Sequence, residues 1–253
     1  MRAFLLGLIA LAVAAPTASA VPLVAVTPGN GLLFFDSASP AATGTPIPVT
    51  GLNVGQSIRG IDARPKTGEL HAVTATSGSA NNSAAQSYVI PRYRVQAEFI
   101  GATAGALAEW ADVPAGWDFN PVVDRARLVN INDENARINP FTGSLAGNDT
   151  DITPAATTAL IGAAYDRNVD GATATTLFAI DRNDNELVRL GGVDGNPSPN
   201  GGVATTIGSL GVVLEPANDA GFDIAPDGTA FAALTDDADN LTRLYTINLA
   251  TGA

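Results

Sequence analysis

Three aspartates recur at one position of a repeated hexapeptide, and they are the residues most able to bind a cation or polar ligand. Asp62, Asp118 and Asp223 each stand third in the pattern Gly, apolar, Asp, two residues, Pro. In a ring of repeats they would surround the central channel, where several carboxylates can hold a cation. The alternative, which recurrence in several repeats favours, is that each aspartate accepts backbone N–H bonds near the tight turn before proline.

A second acidic segment resembles the start of a calcium-binding loop. Asp166, Asn168 and Asp170 offer oxygen atoms at positions 1, 3 and 5, and Gly171 stands at position 6. Position 12 is Leu177, where that loop needs a bidentate glutamate. We therefore assign no metal ligand but keep these three residues as calcium candidates. The alternatives are a solvated hairpin turn and a calcium site of another build that uses Asp181, Asp184 or Glu186.

The remaining residues offer little catalytic chemistry. Cysteine is absent and histidine occurs once, which excludes zinc clusters, thiol nucleophiles and any Ser-His dyad not built on His71. We expect His71 to lie on a strand surface or beside a carboxylate rather than to act as a base. Trp110 and Trp117 are candidates for sugar stacking, although core packing is the expectation for Trp117. We predict no catalytic residue and no cofactor, with calcium as the one cation considered.

The charge balance restricts the partners. The chain has 25 Asp and Glu against 13 Lys and Arg, a net charge of −12. Nucleic-acid affinity depends on basic side chains that neutralise phosphates, and docking on anionic membranes depends on them too. We therefore expect neither partner, and we expect a monomer that binds a protein, a glycan or a small ligand.

The elements that position these residues are short strands. Apolar runs of four to seven residues alternate with turns rich in Gly, Pro, Asn and Asp, which predicts an all-β fold. The hexapeptide starts at Gly60, Gly116 and Gly221, with a degenerate copy at Gly162, so the starts are 56, 46 and 59 residues apart. This spacing is typical of propeller blades, and each copy leads through a turn into a second strand, at residues 69–74, 125–130 and 229–234. Outer strands are predicted at residues 45–51 and 202–210, where β-branched residues gather. We predict a β-propeller of about five blades.

The sequences of the two ends of the chain allow separate predictions. Residues 1–20 read as a signal peptide, with Arg2 before an apolar stretch and a cleavage site at Ala18-Ser19-Ala20. We therefore expect export to the periplasm or the medium, without membrane insertion after cleavage, and one propeller domain over residues 21–253. No outer strand follows the last predicted strand, so we expect the ring to lack one or two closing strands at the C-terminus, unless the strands present close it differently.

Four phrases of the sequence resemble a bacterial family called domain of unknown function 4394. They are LLFFDSASP, GQSIRGIDARPKTGELHAV, GWDFNPVVDRARLVN with NARINPFTG after it, and GFDIAPDGTAFAALTDDADNLTRLYTINLATG. The resemblance covers nearly all of the chain after the signal peptide and implies an exported, propeller-like β-protein. It implies no catalytic or binding residue.

Two classes of function are the main hypotheses, and an envelope structural component, which would require an anchor or sorting tail, is a third. The first is a non-catalytic binding or scaffold propeller that uses loops such as Ser77 to Ser87 and Gly191 to Gly202. The second is a calcium-dependent hydrolase or lactonase-like enzyme, which is suggested by fold analogy alone.

Overall fold

Five antiparallel sheets form a five-bladed β-propeller, as the sequence predicts. The computed structural model describes residues 20–253 except 80–82, 92–93, 104–106, 108–109, 148, 155–156 and 217–219. The predicted signal peptide falls on residues 1–20, of which 1–19 lie outside the described residues, as does part of the loop Ser77 to Ser87. No helix in the described part of the chain is long and apolar enough to cross a membrane.

The blades follow one another along the chain, and each is a meander in sequence order. Blade I contains β1 (Pro22–Val26), β2 (Gly31–Asp36) and β3 (Ile47–Pro48). Blade II contains β4 (Gln56–Ala63), β5 (Leu70–Thr76), β6 (Gln86–Ile90) and β7 (Glu98–Ala102). Blade III contains β8 (Ala115–Asn120), β9 (Arg125–Asn130), β10 (Asn135–Ile138) and β11 (Leu145–Gly147). Blade IV contains β12 (Leu160–Tyr165), β13 (Leu177–Asp181), β14 (Glu186–Leu190) and β15 (Ala204–Ser209). Blade V contains β16 (Gly221–Ile224), β17 (Ala230–Asp236) and β18 (Leu241–Ile247). Two short 3-10 helices lie at Val193–Gly195 and Pro199–Gly201.

The hexapeptides form the first strands of blades II to V. Each of β4, β8, β12 and β16 is the edge strand of its sheet, and these strands lie side by side around the propeller axis. Each is followed by a hairpin into the next strand, which confirms the predicted strand order. Because these inner strands run in the same direction, their hairpins all lie at one end of the propeller. We call this end the hairpin face.

The glycines of the repeat allow the inner strands to approach closely. A Cβ atom on Gly60 would collide with Cβ of Trp117, and one on Gly162 would lie 2.9 Å from Cβ of Phe222. A Cβ atom on Gly116 would lie 2.6 Å from the backbone N of Ala163. The glycine of one blade thus faces the second hexapeptide residue of the next blade, which explains why the repeat contains glycine at this position.

The apolar core lies between the blades rather than at one centre. Four buried clusters fill the space between neighbouring sheets, and large side chains such as Trp110, Phe119 and Leu128 have little or no exposed surface. Sheets in a propeller are covered on both faces, so their middle strands are buried on both faces as well. The strand β9, for example, is buried at five of its six residues.

One predicted strand is much shorter than expected. The sequence predicts an outer strand over residues 45–51, but only Ile47 and Pro48 pair with β2. Pro46 and Pro48 have no backbone N–H to donate to a ladder, so extended pairing is not possible there. The predicted outer strand at residues 202–210 is confirmed as β15.

Candidate functional site

The inner strands bring the three recurrent aspartates together. Asp62, Asp118 and Asp223 come from blades II, III and V, and one carboxylate oxygen of each lies within 4.8 Å of the other two. Asp62 and Asp118 are 6% and 2% exposed, whereas Asp223 is open to solvent. We call these three residues the carboxylate cluster.

The first two aspartates of the cluster also join neighbouring blades. The backbone N–H of Phe119 in blade III donates to Oδ2 of Asp62 at 2.8 Å. In the same way the backbone N–H of Tyr165 in blade IV donates to Oδ2 of Asp118. The structural alternative from the sequence is therefore confirmed in part: these carboxylates accept backbone N–H bonds, but the donors belong to the next blade rather than to the local turn.

The degenerate repeat in blade IV interrupts this pattern. Ala164 stands where the other repeats have aspartate, so it cannot accept the N–H of Ile224 in blade V. Asp223 accepts that N–H itself, at 2.7 Å to Oδ1. Because alanine stands at this position in blade IV, the inner strands carry three aspartates, and two of them form bonds between blades.

Burial raises the pKa values of the three carboxyl groups, and like charges add to the effect for Asp62 and Asp118. Burial, followed by the negative charge of Asp223, raises the pKa of Asp62 to about 7. Burial raises the pKa of Asp118 well above its usual range, and the charges of Asp62 and Asp223 add to the effect. Asp223 is open to solvent on one side, but partial burial by the surrounding inner strands still raises the pKa of its carboxyl group. Asp62 and Asp118 act on each other's pKa, so the two carboxyl groups can share one proton.

These shifts predict how stability depends on pH in the presence of a chelator. A carboxyl group with a raised pKa binds its proton more tightly in the folded than in the unfolded state. For Asp62, this proton binding stabilises the folded protein fully below about pH 4, and the stabilisation is lost as the pH rises through 7. We expect the free energy of unfolding, measured by urea titration in EDTA, to fall between about pH 5 and 8. Asp118→Asn removes one charge of the cluster and should flatten this decline.

His71 changes the stability in the opposite direction with pH, and its contribution is the same in the wild type and in Asp118→Asn. Burial, followed by the charge of Arg64, lowers the pKa of His71 to about 4, so charging this histidine costs stability as the pH falls below 6.5. Both proteins contain His71, so the difference between their profiles reports the carboxylate cluster. Identical profiles for the two proteins would contradict the arrangement described here.

The expectation that His71 lies on the surface is wrong. His71 is 4% exposed, its ring stands edge-on to Phe119 with centroids 5.0 Å apart, and its Nε2 has no hydrogen-bond partner among the described residues. The strand β5 lies inside the sheet of blade II, and neighbouring blades cover both of its faces, so alternation along the strand does not place a residue outside. Trp110 and Trp117 are also buried, at 0% and 5%, which excludes stacking of either ring on a sugar and confirms core packing of Trp117.

The calcium-loop candidates lie apart from the cluster, in the segment between β12 and β13. Oδ1 of Asp166 accepts the backbone N–H of Thr176 at 2.6 Å and lies 3.1 Å from the guanidinium of Arg167. Oδ1 of Asn168 is buried and has no hydrogen-bond partner in the described part of the chain, and Asp170 is exposed. Arg167 supplies positive charge beside Asp166, and calcium binding by these three residues stays a prediction.

The hairpin face contains a shallow cavity that sequence reasoning did not identify. It has a volume of about 450 Å³, including space open to solvent, and lies between the hairpins of blades II, III and IV. Its lining mixes a cation, two carboxylates, an amide and apolar groups: Lys66, Asp124, Asp170, Asn120, Val122 and Pro65. The repeat predicts the hairpins, but it does not predict that three of them enclose a space.

The walls of this cavity are held by an ion pair between blades. Arg64 is 5% exposed and donates from Nε to Oδ1 of Asp124 at 2.6 Å, with a second bond from Nη2 to Oδ2. The guanidinium also lies 4.5 Å from the ring centroid of Phe141. Arg64 lowers the pKa of the Asp124 carboxyl group, so this pair is charged at neutral pH.

Solved structures with the same architecture have low sequence identity to this chain. An auxiliary nutrient binding protein from Bacteroides ovatus matches with a TM-score of 0.52 and 13% identity over 89% of this chain and 52% of that protein. The chain therefore spans about half the length of that protein. Sqt1 from Saccharomyces cerevisiae matches with a TM-score of 0.44 and 12% identity over 92% of this chain and 68% of its own. The likeness to the Bacteroides ovatus protein shows the fold alone.

Sequence comparison is more specific about the family. No curated protein matches the chain. The family model described as Domain of unknown function (DUF4394) matches residues 31–253, which confirms the resemblance seen in the four phrases. With its propeller repeat and the matched range, the chain belongs to the DUF4394 family.

Proposed function

We propose that this protein is an exported, non-catalytic binding propeller that takes a small, oxygen-rich ligand such as a sugar on its hairpin face. The cavity between blades II, III and IV is the observation that carries the proposal. Ligand sites are concave, with apolar walls and a few polar groups that fix orientation. Here Val122 and Pro65 offer apolar surface, while Lys66, Asn120 and Asp170 offer hydrogen-bond donors and acceptors.

The cavity is supported by groups that are already fixed. The bidentate pair of Arg64 with Asp124 joins the hairpins of blades II and III, and Oδ1 of Asn120 accepts the N–H of Val122 at 2.9 Å within its own turn. Binding to such a site costs less ordering of side chains and loops than binding to mobile loops. This rigidity supports a binding role for the hairpin face.

Export rests on the N-terminal sequence. The predicted cleavage leaves Val21 as the first residue of the mature chain. The backbone N of Val21 donates to Oγ of Ser37 at 2.9 Å, and its carbonyl accepts the N–H of Ser37. A new N-terminus at Val21 is compatible with these contacts, since an ammonium group can donate the same bond.

The fold neighbour is compatible with this role but does not establish it. The Bacteroides ovatus protein is described as an auxiliary nutrient binding protein, and at 13% identity its ligand says nothing about the ligand here. The enzymatic alternative, a calcium-dependent hydrolase or lactonase-like protein, has less support. The chain has one histidine, and His71 is buried against Phe119, away from the cavity lining.

Two exposed residues of the cavity provide the test. We expect a panel of monosaccharides and oligosaccharides, screened by thermal shift, to contain a ligand that Lys66→Ala and Asp170→Ala each bind about tenfold more weakly. Both side chains are exposed, so the melting temperature without ligand should stay unchanged. Asp237→Ala is the matched control, because Asp237 is exposed in the turn between β17 and β18, at the opposite end of the propeller.

Two outcomes would contradict the proposal. One is a panel in which no sugar binds. The other is a sugar that binds the two cavity variants as tightly as it binds the Asp237→Ala control.

A further inference from the structure

The carboxylate cluster contains a buried oxygen that none of the described protein groups satisfies. Asp118 is 2% exposed; its Oδ2 accepts the Tyr165 N–H, whereas its Oδ1 has no hydrogen-bond partner. A buried carboxylate oxygen without a donor or counter-charge is costly, and such groups in native proteins usually mark a bound water, ion or proton.

Among the described residues, no basic side chain forms an ion pair with the cluster. The largest charge effects on the pKa of Asp118 come from Asp62 and Asp223, both negative. The nearby arginines of the inner hairpins have other partners: Arg64 pairs with Asp124, and Arg127 bonds to Asp149 and Asn200. The cluster therefore lacks a positive charge that the described protein groups would supply.

We propose that Asp62, Asp118 and Asp223 bind a calcium ion that joins blades II, III and V at the propeller axis. Their ligand oxygens lie within 4.8 Å of one another, which a cation with bonds of roughly 2.3–2.6 Å can bridge. An all-oxygen set of carboxylates suits a hard divalent cation. In the described part of the chain this is the one group of three acidic or histidine side chains that converge in this way.

Solvent access at Asp223 allows water to supply the remaining ligands of a calcium ion. Calcium takes six to eight oxygen ligands, and three carboxylates supply only part of this shell. Asp223 is exposed, so water can reach the ion from its side and complete the shell. With few protein ligands we expect a dissociation constant on the order of 10⁻⁴–10⁻³ M, in the range of extracellular calcium modules.

The test is thermal unfolding of the protein at about pH 7.5, first in EDTA and then with calcium chloride up to about 10 mM. We expect calcium to raise the melting temperature of the wild type by roughly 3–10 °C. Asp118→Asn and Asp62→Asn should lose this shift. Neither variant should unfold, because asparagine still accepts the backbone N–H and one repelling charge is removed.

A buried aspartate outside the cluster is the matched control. Asp181 is 4% exposed and accepts the N–H groups of Ala159 and Asn183, so Asp181→Asn should keep the full calcium shift whatever its own stability. Isothermal titration of calcium into the wild type and Asp118→Asn checks the stoichiometry, which we expect to be one ion and none.

Three outcomes would overturn the inference. The first is a wild type whose melting temperature does not respond to calcium, which would leave a shared proton as the counter-charge. The second is an Asp118→Asn variant that keeps the calcium shift, which would place the ion elsewhere. The third is a magnesium shift equal to the calcium shift. Because sugar binding at the cavity is measured with different variants, failure there leaves this test unaffected.

Discussion

Gly116→Ala should destabilise the protein by about 3 kcal/mol or more, because it inserts a methyl group where two inner strands touch. The new Cβ atom would lie 2.6 Å from the backbone N of Ala163 and 2.7 Å from its Cβ. Backbone atoms of β12 cannot move away without disturbing blade IV. Urea titration should show a lower midpoint, and thermal unfolding a melting temperature lower by roughly 6–12 °C.

The same repeat supplies the control for this prediction. Gly221 stands at the equivalent position of blade V, and among the described residues a Cβ atom there would meet only Cβ of Ala233, at an ordinary 3.5 Å. Gly221→Ala should therefore change the free energy of unfolding little, since the cost arises from packing rather than from β-strand propensity. Equal destabilisation by the two substitutions would contradict the proposed role of glycine between inner strands.

Asp149→Asn should cost about 3–5 kcal/mol, because it breaks a buried ion pair on one side. The side chain of Asp149 is 0% exposed; it accepts from Nη1 of Arg127 at 2.7 Å and from Nη2 of Arg137 at 2.8 Å. Arg127 is itself 1% exposed, so the variant leaves a buried guanidinium short of its counter-charge. Thermal unfolding should show a fall of about 10 °C in the melting temperature.

An exposed ion pair provides the comparison. Asp239 pairs with Arg243 at the surface of blade V, where both side chains are more than two-fifths exposed. Asp239→Asn should leave the melting temperature almost unchanged, because water screens such pairs. If Asp149→Asn were as mild as Asp239→Asn, the network around Arg127 would have no stabilising role.

The repeat predicts much of the fold. The hexapeptide places β4, β8, β12 and β16, and the hairpin after each follows from glycine-containing turns, so the five blades are readable from residue types and spacing. The strand β9 begins and ends at the predicted residues, 125 and 130. Local chemistry suffices here, because these elements depend on alternation and turns within about 20 residues.

The candidate site is only partly predictable, because it depends on contacts between blades. The sequence indicates that Asp62, Asp118 and Asp223 are equivalent, but it does not show that Phe119 and Tyr165 of the next blades donate to two of them. Those bonds depend on the stagger of neighbouring inner strands, which no local pattern encodes. This stagger leaves Oδ1 of Asp118 without a donor.

The hydrogen-bond network around Arg127 is not predictable from the sequence, for a similar reason. Its guanidinium joins Asn135, Asp149 and Asn200, the last of which is 73 residues away on a loop of blade IV. In the sequence Arg127 reads as one basic residue in a strand, and charged residues are mostly exposed. Only the path of the 191–203 loop shows that it is buried.

Anomalous diffraction from crystals grown in about 10 mM calcium chloride, collected at a wavelength where calcium scatters anomalously, tests the central claim most directly. We predict one peak among the carboxylates of Asp62, Asp118 and Asp223, at roughly 2.3–2.6 Å from an oxygen of each, and no such peak in Asp118→Asn crystals. A calcium peak found only elsewhere, or a cluster whose Asp62 and Asp118 oxygens remain in direct contact around a shared proton, would contradict it.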